Sequence, residues 1–386
     1  MGMAIPGRLL PLSVMIASFL ASVGVPADAA RKGAGDFTPI SQIPEDGPKP
    51  GFVTSARRLF TAPELQDAPD EWIDHSLQWV DFTLGNYKPT LVEHPLRRAA
   101  LIRIDDILHI KSAPQKPLVL AWYRARMERA VAEIEQTKVT QGVRIWKLYN
   151  HGFLVRTPTV TFAFDIVAGA PQHGFVIPPE LIDRISRQCD ALFISHRHPD
   201  HADLDVVRRF LKAKKPVVAP EQLWADQPGL MGAITVLERS TRHVHDLLVQ
   251  SGRQKLKIVA YPGHQDEVLN NITLVTTPEG LTIAQTGDQW QEDAPGGDFD
   301  WISSIARDRK VDVLLPNIWA VPLDRLVRGI NPALIISGHE NEMGHSVAHR
   351  EDYTQSYNRL FGIPYPALVM TWGESFQYNP SQFSER

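Results

Sequence analysis

The chain has almost no cysteine. Cys189 is the single cysteine among 386 residues, so an intramolecular disulfide cannot form. A cysteine-based zinc site and an iron–sulfur cluster are excluded for the same reason. The function therefore depends on how the 14 histidines cluster along the chain.

An excess of positive charge is also missing. Lys and Arg total 40 against 44 Asp and Glu, which gives a formal net charge of −4 and a pI of about 6.4. Proteins that bind polyanions are usually basic, so nucleic acid is not expected as a partner. Hydrophobic residues make up 43% of the chain and charged residues 22%. This is a globular composition that supports a large core.

Long apolar runs are missing everywhere except at the N-terminus. There, a run from Leu9 to Val25 follows Arg8, and Ala27-Asp28-Ala29 provides a cleavage site between small residues. This layout predicts a signal peptide over residues 1–29 and an exported protein, periplasmic or extracellular. A membrane anchor is the alternative, but an anchor needs about 20 apolar residues. No membrane span is expected after cleavage.

The composition after the leader divides near residue 142. Residues 31–70 are rich in Pro, Gly and Asp, which predicts an extended arm. Residues 71–138 are mostly helical in pattern, and the clearest apolar periodicity predicts a helix over 117–137. We assign residues 30–141 to an N-terminal arm and helical extension.

Short β-rich runs dominate residues 142–386. Helix-like stretches separate several of these runs, as at 203–213 and 350–360, and residues 276–280 read as a hairpin turn. Repeated short strands with interspersed helices indicate an α/β or α+β sandwich.

Three histidines and an aspartate lie within six residues after the apolar run ALFIS. They are His196, His198, Asp200 and His201. Their side chains are the nitrogen and oxygen ligands that a zinc-type divalent ion uses. One ion cannot easily take all four from so short a loop. The spacing therefore favours two ions side by side, one on the first two histidines and the other on Asp200 and His201.

This motif resembles the histidine motif of the metallo-β-lactamase superfamily, and the other motifs of that family follow in order. VTFAFD supplies Asp165, KLKIVAYPGH supplies His264, LTIAQTGD supplies Asp288 and PALIISGH supplies His339. The steps onward from the histidine motif are 63, 24 and 51 residues. The resemblance covers residues 142–386 and implies an αββα sandwich as the catalytic domain.

The resemblance also implies a role for each motif residue. One divalent ion would be held by His196, His198 and His264, the other by Asp200, His201 and His339, and Asp288 would bridge them. Zinc is the expected metal, with manganese and iron as the alternatives. Water activated by the ions would attack the substrate, and Asp200 would also deliver a proton to the leaving group. Asp165 would orient the histidine loop.

Two further histidine patterns stand outside this motif set. His345 lies just downstream of His339 and is a candidate substrate contact. His243 and His245 have the spacing of a ligand pair but fall outside the family order.

The family resemblance leaves the reaction open. Aspartate at both Asp200 and Asp288 is the pattern of lactonases, glyoxalase II, phosphodiesterases and tRNA-processing nucleases within the superfamily. The chain looks most like the branch of L-ascorbate-6-phosphate lactonase and N-acyl-phosphatidylethanolamine phospholipase D. We expect a hydrolase of an ester, lactone or phosphodiester, with a small-molecule or lipid-like substrate. A di-iron oxidoreductase and a non-catalytic binding protein on the same fold are the alternatives.

Overall fold

A computed structural model describes residues 67–221, 223–290 and 297–383. All of them fall within one compact unit, Ala62–Arg386. The signal peptide predicted over residues 1–29 and most of the predicted arm lie outside the described residues. Within the described ranges, no helix combines the length and the apolar character that crossing a bilayer requires.

The described strands form two large sheets and one small hairpin. In chain order the strands are β1 (Val143–Lys147), β2 (Phe153–Arg156), β3 (Thr161–Phe164), β4 (Gly169–Ala170), β5 (Phe175–Val176), β6 (Ala191–Phe193), β7 (Val217–Ala219), β8 (Thr235–Val236), β9 (His245–Val249), β10 (Gln254–Gln265), β11 (Val268–Thr276), β12 (Thr282–Gln285), β13 (Val313–Leu315), β14 (Leu334–Ile336), β15 (Ala367–Leu368) and β16 (Glu374–Tyr378).

Each large sheet has seven strands, with an antiparallel half and a parallel half. The first sheet has the order β16-β1-β2-β3-β6-β7-β8, and the pairs from β3 to β8 are parallel. The second has the order β15-β14-β13-β12-β11-β10-β9, and the pairs from β12 to β15 are parallel. The predicted hairpin turn at 276–280 joins β11 to β12.

Helices cover the outer face of each sheet. They are α1 (Asp70–Asn86), α2 (Pro95–Leu108), α3 (Pro117–Gln136), α4 (Pro179–Gln188), α5 (Leu204–Lys212), α6 (Pro228–Met231), α7 (Asp298–Ile302), α8 (Ile305–Asp308), α9 (Leu323–Ile330) and α10 (Tyr353–Leu360). The helices predicted over 117–137, 203–213 and 350–360 correspond to α3, α5 and α10, and the helical N-terminal region is confirmed by α1–α3.

Local sequence explains where several helices begin. Pro117 occupies the first turn of α3, where a missing backbone N–H costs no hydrogen bond. The Asp203 carboxylate caps α5 by accepting from the backbone N–H groups of Asp205 and Val206. The Asp352 carboxylate caps α10 by accepting from the backbone N–H of Gln355.

Three apolar cores separate the layers. One lies between the two sheets, a second between the first sheet and the helices α1–α5, and a third between the second sheet and the helices α7–α9. Side chains alternate along each strand. Ile145 faces the core between the sheets, whereas Trp146 faces the helices. The expected αββα sandwich is confirmed by this four-layer packing.

A buried ion pair ties the helical extension to the first sheet. Arg97 on α2 binds both carboxylate oxygens of Glu374 on β16, each at 2.6 Å. Arg97 also donates to the carbonyl of Val369 at 2.9 Å. Breaking a buried pair of this kind by removing one partner typically costs about 3–5 kcal/mol. The extension is therefore anchored to the sandwich, and the domain boundary near residue 142 stays a prediction.

Candidate metal centre

All motif residues except His264 lie at the carboxyl ends of parallel strands. Asp165 follows β3, the histidine loop that starts at Ser195 follows β6, Asp288 follows β12 and His339 follows β14. Carboxyl ends of parallel strands meet at one edge of a sheet, where polar side chains collect. The two sheets thus bring residues up to 174 positions apart, from Asp165 to His339, to one edge of the sandwich.

Four motif side chains form the first group of potential ligands, Asp200, His201, Asp288 and His339. Their ligand atoms all lie within 4.8 Å of one another. The Nε2 atoms of His201 and His339 each lie 3.2 Å from Oδ2 of Asp200. Each of these nitrogens also lies 3.3 Å from an oxygen of Asp288. Two imidazoles and two carboxylates therefore converge on one point.

A second group of potential ligands consists of His196, His198 and Asp288. Nε2 of His196 lies 3.7 Å from Oδ2 of Asp288 and 3.1 Å from Nδ1 of His198. Asp288 thus belongs to both groups, and its carboxylate lies between them. This is the position that a bridging ligand between two neighbouring ions requires.

His264 is the one predicted ligand that falls outside both groups. It lies near the end of β10 rather than after the strand. Its Nδ1 lies 3.1 Å from Oδ2 of Asp298, and its backbone N–H donates to Oε1 of Gln289 at 3.1 Å. With Nδ1 facing a carboxylate, Nε2 is the ring nitrogen left to bind an ion. The ligand role of His264 stays a prediction.

Asp165 contacts the histidine loop through two of its residues, Ser195 and His201. Its Oδ2 lies 2.9 Å from Nδ1 of His201 and accepts from the Ser195 hydroxyl at 2.7 Å, and its Oδ1 accepts from the Ser195 backbone N–H at 2.8 Å. The Ser195 hydroxyl in turn lies 2.9 Å from Nδ1 of His196. Asp165 thus contacts one predicted ligand directly and a second through Ser195. A carboxylate on one ring nitrogen can direct the other toward a metal, and this orienting role of Asp165 stays a prediction.

Sequence reasoning missed a second carboxylate that serves the same purpose. Glu351 is buried, and its Oε2 lies 3.5 Å from Nδ1 of His339. Like Asp298 beside His264, it supplies an acid to the outer nitrogen of a predicted ligand. Neither acid is at a fixed sequence distance from the histidine that it contacts. Glu351 comes 12 residues after His339, and Asp298 comes 34 residues after His264.

Two asparagines were missed as well. Asn150, in the turn between β1 and β2, donates to Oδ2 of Asp200 at 3.0 Å. Asn317, just after β13, donates to Oδ1 of Asp288 at 3.1 Å. Each amide donates one hydrogen bond to a carboxylate of the first group and so holds that carboxylate in place. The remaining lone pairs of the carboxylate stay available for an ion.

The loop that carries His339 has a strained backbone. His339 has a φ of +70°, a left-handed conformation that side chains with a Cβ seldom adopt. The next residue, Glu340, forms a buried ion pair with Lys147 of β1 and accepts from the Ser356 hydroxyl at 2.7 Å. These contacts anchor the loop, and strain held by its surroundings is typical of functional sites.

Two glycines permit the close approach of the loops. A Cβ on Gly287 would lie 2.1 Å from Oδ1 of Asn270 and 2.4 Å from Cβ of Ser195, so only glycine lets the Asp288 turn meet the histidine loop. A Cβ on Gly338 would lie 2.5 Å from Nδ1 of His151. The glycine before each late ligand is therefore a packing requirement.

The charges of the first group fit a divalent cation. Burial raises the pKa of Asp288, but His201 and His339 beside it hold that pKa well below its usual range. Burial lowers the pKa of His339, but Asp288 and Glu351 raise it to well above the usual range. Without an ion, protons on the imidazoles supply the positive charge that the carboxylates attract. A divalent ion can supply the same charge in their place.

Two buried nitrogens of the site point to the same ligand. Among the described residues, the Nε2 atoms of His201 and His339 make no hydrogen bond of good geometry, although carboxylate oxygens of Asp200 and Asp288 lie 3.2–3.3 Å away. Buried polar atoms normally have well-formed hydrogen bonds, and an ion between such nitrogens and carboxylates is one explanation for the exception. Burial, together with His201, lowers the pKa of His196 well below its usual range, so this ring is neutral and available as a ligand.

A fully buried histidine that the sequence did not single out also adjoins the site. The His151 ring lies 5.7 Å from the His201 ring and 6.1 Å from the His339 ring, measured between centroids. Burial, and then His201, lower the pKa of His151 well below its usual range, so the ring is neutral. It fills the space that Gly338 leaves open.

The remaining histidine candidates differ in position. His345 is partly exposed, with its ring 5.7 Å from that of His339 and its Nδ1 3.8 Å from Oε1 of Glu351. It therefore lies beside the first group, where its substrate role stays a prediction. The rings of His243 and His245 stack at 4.0 Å, and His243 pairs with Glu238 at 2.7 Å. Within the described part of the chain, neither belongs to a group of potential ligands.

We predict that Glu351 strengthens metal binding through His339. Glu351→Gln keeps the size of the side chain but removes its charge, and loss of such an orienting partner typically weakens metal binding about 10–100-fold. Competition with a chromophoric chelator, starting from metal-free protein, measures the affinity.

The exposed pair of His243 and Glu238 provides the matched control, since Glu238→Gln removes the same charge from a histidine outside the site. A wild-type affinity in the Glu351 variant would contradict an orienting role.

Comparison with known proteins gives only distant matches. No family model matches the chain, and no curated protein matches it. Among solved structures, the chain is similar to Igni18, a metallo hydrolase from Ignicoccus hospitalis, with 14% identity and a TM-score of 0.46 over 62% of this chain and 100% of that one.

Two further solved structures are similar to a comparable degree. CmlA, a diiron β-hydroxylase from Streptomyces venezuelae, has 15% identity and a TM-score of 0.45, covering 63% of this chain and 55% of that one. YhfI from Bacillus subtilis, a metallo-β-lactamase fold protein, has 11% identity and a TM-score of 0.42, covering 62% and 100%. Likeness at this level assigns no activity to the chain.

Proposed function

We propose that this chain is an exported, dinuclear metal-dependent hydrolase that cleaves an ester, a lactone or a phosphodiester. One observation carries the proposal: the Asp288 carboxylate belongs to two adjacent groups of potential ligands. A protein that needed a single structural ion would have no use for the second group, whereas two-metal hydrolases use a shared ligand to hold both ions close together.

The proposed ligand sets follow the family motif order, and the grouping of ligand atoms supports them for every residue except His264. His196, His198 and His264 would hold one ion, Asp200, His201 and His339 the other, with Asp288 between them. All of these donors are nitrogen or oxygen atoms, a set that suits zinc, with manganese and iron as the alternatives. Bound there, two such ions would polarise the scissile group and lower the pKa of water to near neutrality.

Asp200 is the residue proposed to move the proton. Its side chain is 15% exposed, whereas that of Asp288 is 4% exposed, so Asp200 is the more accessible of the two acids. The Asn150 amide fixes one of its oxygens. A carboxylate held this way accepts a proton from the attacking water and returns it to the leaving oxygen.

The substrate class is proposed from charge and family pattern. The negative net charge disfavours a polyanionic substrate, which leaves small molecules and lipid-like compounds. The resemblance to the lactonase and phospholipase D branch supports the same choice. Because the donors also suit iron, a di-iron oxidoreductase is the second candidate. A non-catalytic binding protein is disfavoured, since the chain retains every motif residue.

Elemental analysis and a substrate screen test the proposal together. Protein purified without added metal should contain close to two zinc or manganese ions per chain. It should hydrolyse at least one member of a panel of lactones, phosphodiesters, phosphonates and β-lactams, lose activity to a chelator, and regain it with zinc or manganese. Iron with a visible absorption band would favour oxidation instead. Less than one ion per chain and no turnover would contradict catalysis altogether.

Export is proposed from the leader alone. The apolar run behind Arg8 and the Ala27-Asp28-Ala29 site support cleavage close to Ala30. Intact mass and N-terminal sequencing of protein from the native cell should give a mature chain that begins there. A cytoplasmic chain that still begins at Met1 would contradict export.

A further inference from the structure

A second site candidate lies outside the metal centre, between the helical extension and the edge of the first sheet. Helices α1 and α3 and strands β1 and β16 enclose a cavity of about 760 Å³. This volume is within the range of small-molecule sites, which is about 300–1,000 Å³. None of the lining residues is a proposed metal ligand, so the cavity is a separate feature of the fold.

Positive charge dominates the cavity wall. Four cationic side chains line it, Lys88, Arg126, Arg129 and Arg144. Of the three acids in the wall, Glu374 is already bound at both oxygens by Arg97, which lies outside the lining. Asp81 and Glu133 remain to balance four cations, which leaves an excess of two positive charges.

The pairing of these cations is uneven. Arg144 has its own partner, Glu133, at 2.7 Å. Arg126 and Arg129 share one oxygen of Asp81, at 3.5 Å and 2.5 Å. In the part of the chain that the structure describes, Lys88 makes no ion pair.

Arg126 is the clearest sign of a missing anion. Its side chain is only 7% exposed, and the carboxylate nearest to it is both distant and shared. Its Nε donates to the carbonyl of Trp372 at 3.1 Å, and the guanidinium lies over the Trp122 ring. A buried charge is costly unless it is paired. An anion in the cavity would complete the pairing.

The rest of the wall combines apolar side chains with two neutral polar ones, Ser375 and Gln377. Leu84, Pro89 and Phe376 line the cavity beside the cations. A ligand that fills the space must therefore present a charged group to the arginines and a hydrocarbon or aromatic part to these side chains. Inorganic anions alone would leave the apolar surface uncovered.

We propose that this cavity binds a small anionic amphiphile, with a carboxylate or phosphate head and an apolar tail, independently of the metal centre. Guanidinium groups form charge-assisted hydrogen bonds with either head, often in pairs. The helical extension, which the catalytic motifs do not use, contributes α1 and α3 to this binding site.

Titration calorimetry on the full chain tests the proposal with four defined probes. Octyl phosphate and octanoate carry the two candidate heads, octyl glucoside is the neutral tail control, and inorganic phosphate is the head without a tail. At least one octyl anion should bind, more tightly than octyl glucoside and inorganic phosphate by about tenfold or more. The stronger of the two anions identifies the head.

Two kinds of variant locate the binding. The double substitution Lys88→Gln with Arg129→Gln removes two exposed cations and should weaken binding at least about tenfold. Arg208→Gln with Lys255→Gln removes the same charge from exposed side chains elsewhere and should leave it unchanged. Gly85→Leu places an apolar side chain in the cavity wall without altering charge, and the fold accommodates it because a Cβ at Gly85 meets no atom within 4 Å. It should abolish binding while thermal unfolding and metal content stay as in wild type.

Three outcomes would overturn the proposal. The first is an absence of binding by both octyl anions at millimolar concentration. The second is equal binding of octyl glucoside, which would show a purely apolar groove. The third is wild-type affinity in both the Gly85 variant and the double variant, which would place the ligand elsewhere. Metal content and hydrolysis are measured separately, so the test of the proposed function does not depend on the result for the cavity.

Discussion

Asp288→Ala should release at least one metal ion per chain and abolish hydrolysis. The side chain belongs to both groups of potential ligands, and it lies 3.3 Å from two imidazole nitrogens of the first group and 3.7 Å from one of the second. Removing it leaves each proposed ion one ligand short and withdraws a negative charge from between two cations.

The measurement is metal content by elemental analysis in the same samples that are assayed for turnover. Asp246→Ala is a matched control, because Asp246 is an exposed aspartate on β9 of the same sheet and pairs only with Lys255 at the surface. Two ions and wild-type turnover in the Asp288 variant would show that another group bridges the site. Loss of fold would be evident as a lowered unfolding temperature of the metal-free variant relative to metal-free wild type.

Asp200→Asn should retain much of its metal and lose turnover by at least about a hundredfold, since a general acid or base contributes about 10²–10⁴-fold. Asparagine keeps the shape and one coordinating oxygen but cannot carry a proton. The Asn150 amide donates to Oδ2 of Asp200. In the variant it faces either the oxygen or the NH2 group of the new asparagine side chain. If it faces the oxygen, this hydrogen bond is kept.

The dependence on leaving group separates proton transfer from simple ligation. A nitrophenyl ester or phosphodiester has a good leaving group and needs little protonation, whereas an alkyl analogue needs much. The loss in the Asp200 variant should therefore be smaller on the nitrophenyl substrate. An equal loss on both substrates at full metal occupancy would reject the proton-carrying role and leave Asp200 as a ligand only.

The half of the fold that carries the predicted metal ligands was predictable because its first motif is local. A run of apolar residues followed by His196-x-His198-x-Asp200-His201 places a cluster of ligands at the end of a buried strand, whatever follows. The single aspartates and histidines later in the chain are weak signals individually, and they became informative through their order and spacing. In the structure the potential ligand atoms of Asp200, His201, Asp288 and His339 lie within 4.8 Å of one another.

Apart from Asp165, the groups that contact those ligands were not predictable in the same way. Asp298, Glu351, Asn150 and Asn317 each come from a different segment of the chain, with no fixed spacing from the side chain they contact. A hydrogen bond between distant loops depends on the packing of both sheets, which no local pattern records. His264 shows that a clear motif does not determine a contact. Its place in the motif order was predictable, but its ring contacts the carboxylate of Asp298 and not another proposed ligand.

The amino-acid sequence by itself determined which side chains of the histidine loop could bind metal and that cysteine takes no part. These features follow from residue type and local spacing, which are independent of the final packing. The αββα sandwich and the bridging position of Asp288 were implied by the family resemblance. Only the tertiary structure decided that the Asp288 carboxylate lies within 3.7 Å of imidazole nitrogens from both groups and that Glu351 and Asp298 contact their histidines. It alone revealed the cationic cavity beneath the helical extension. Such features depend on contacts between residues far apart in the chain, such as Arg97 with Glu374, and these contacts exist only once the layers have packed.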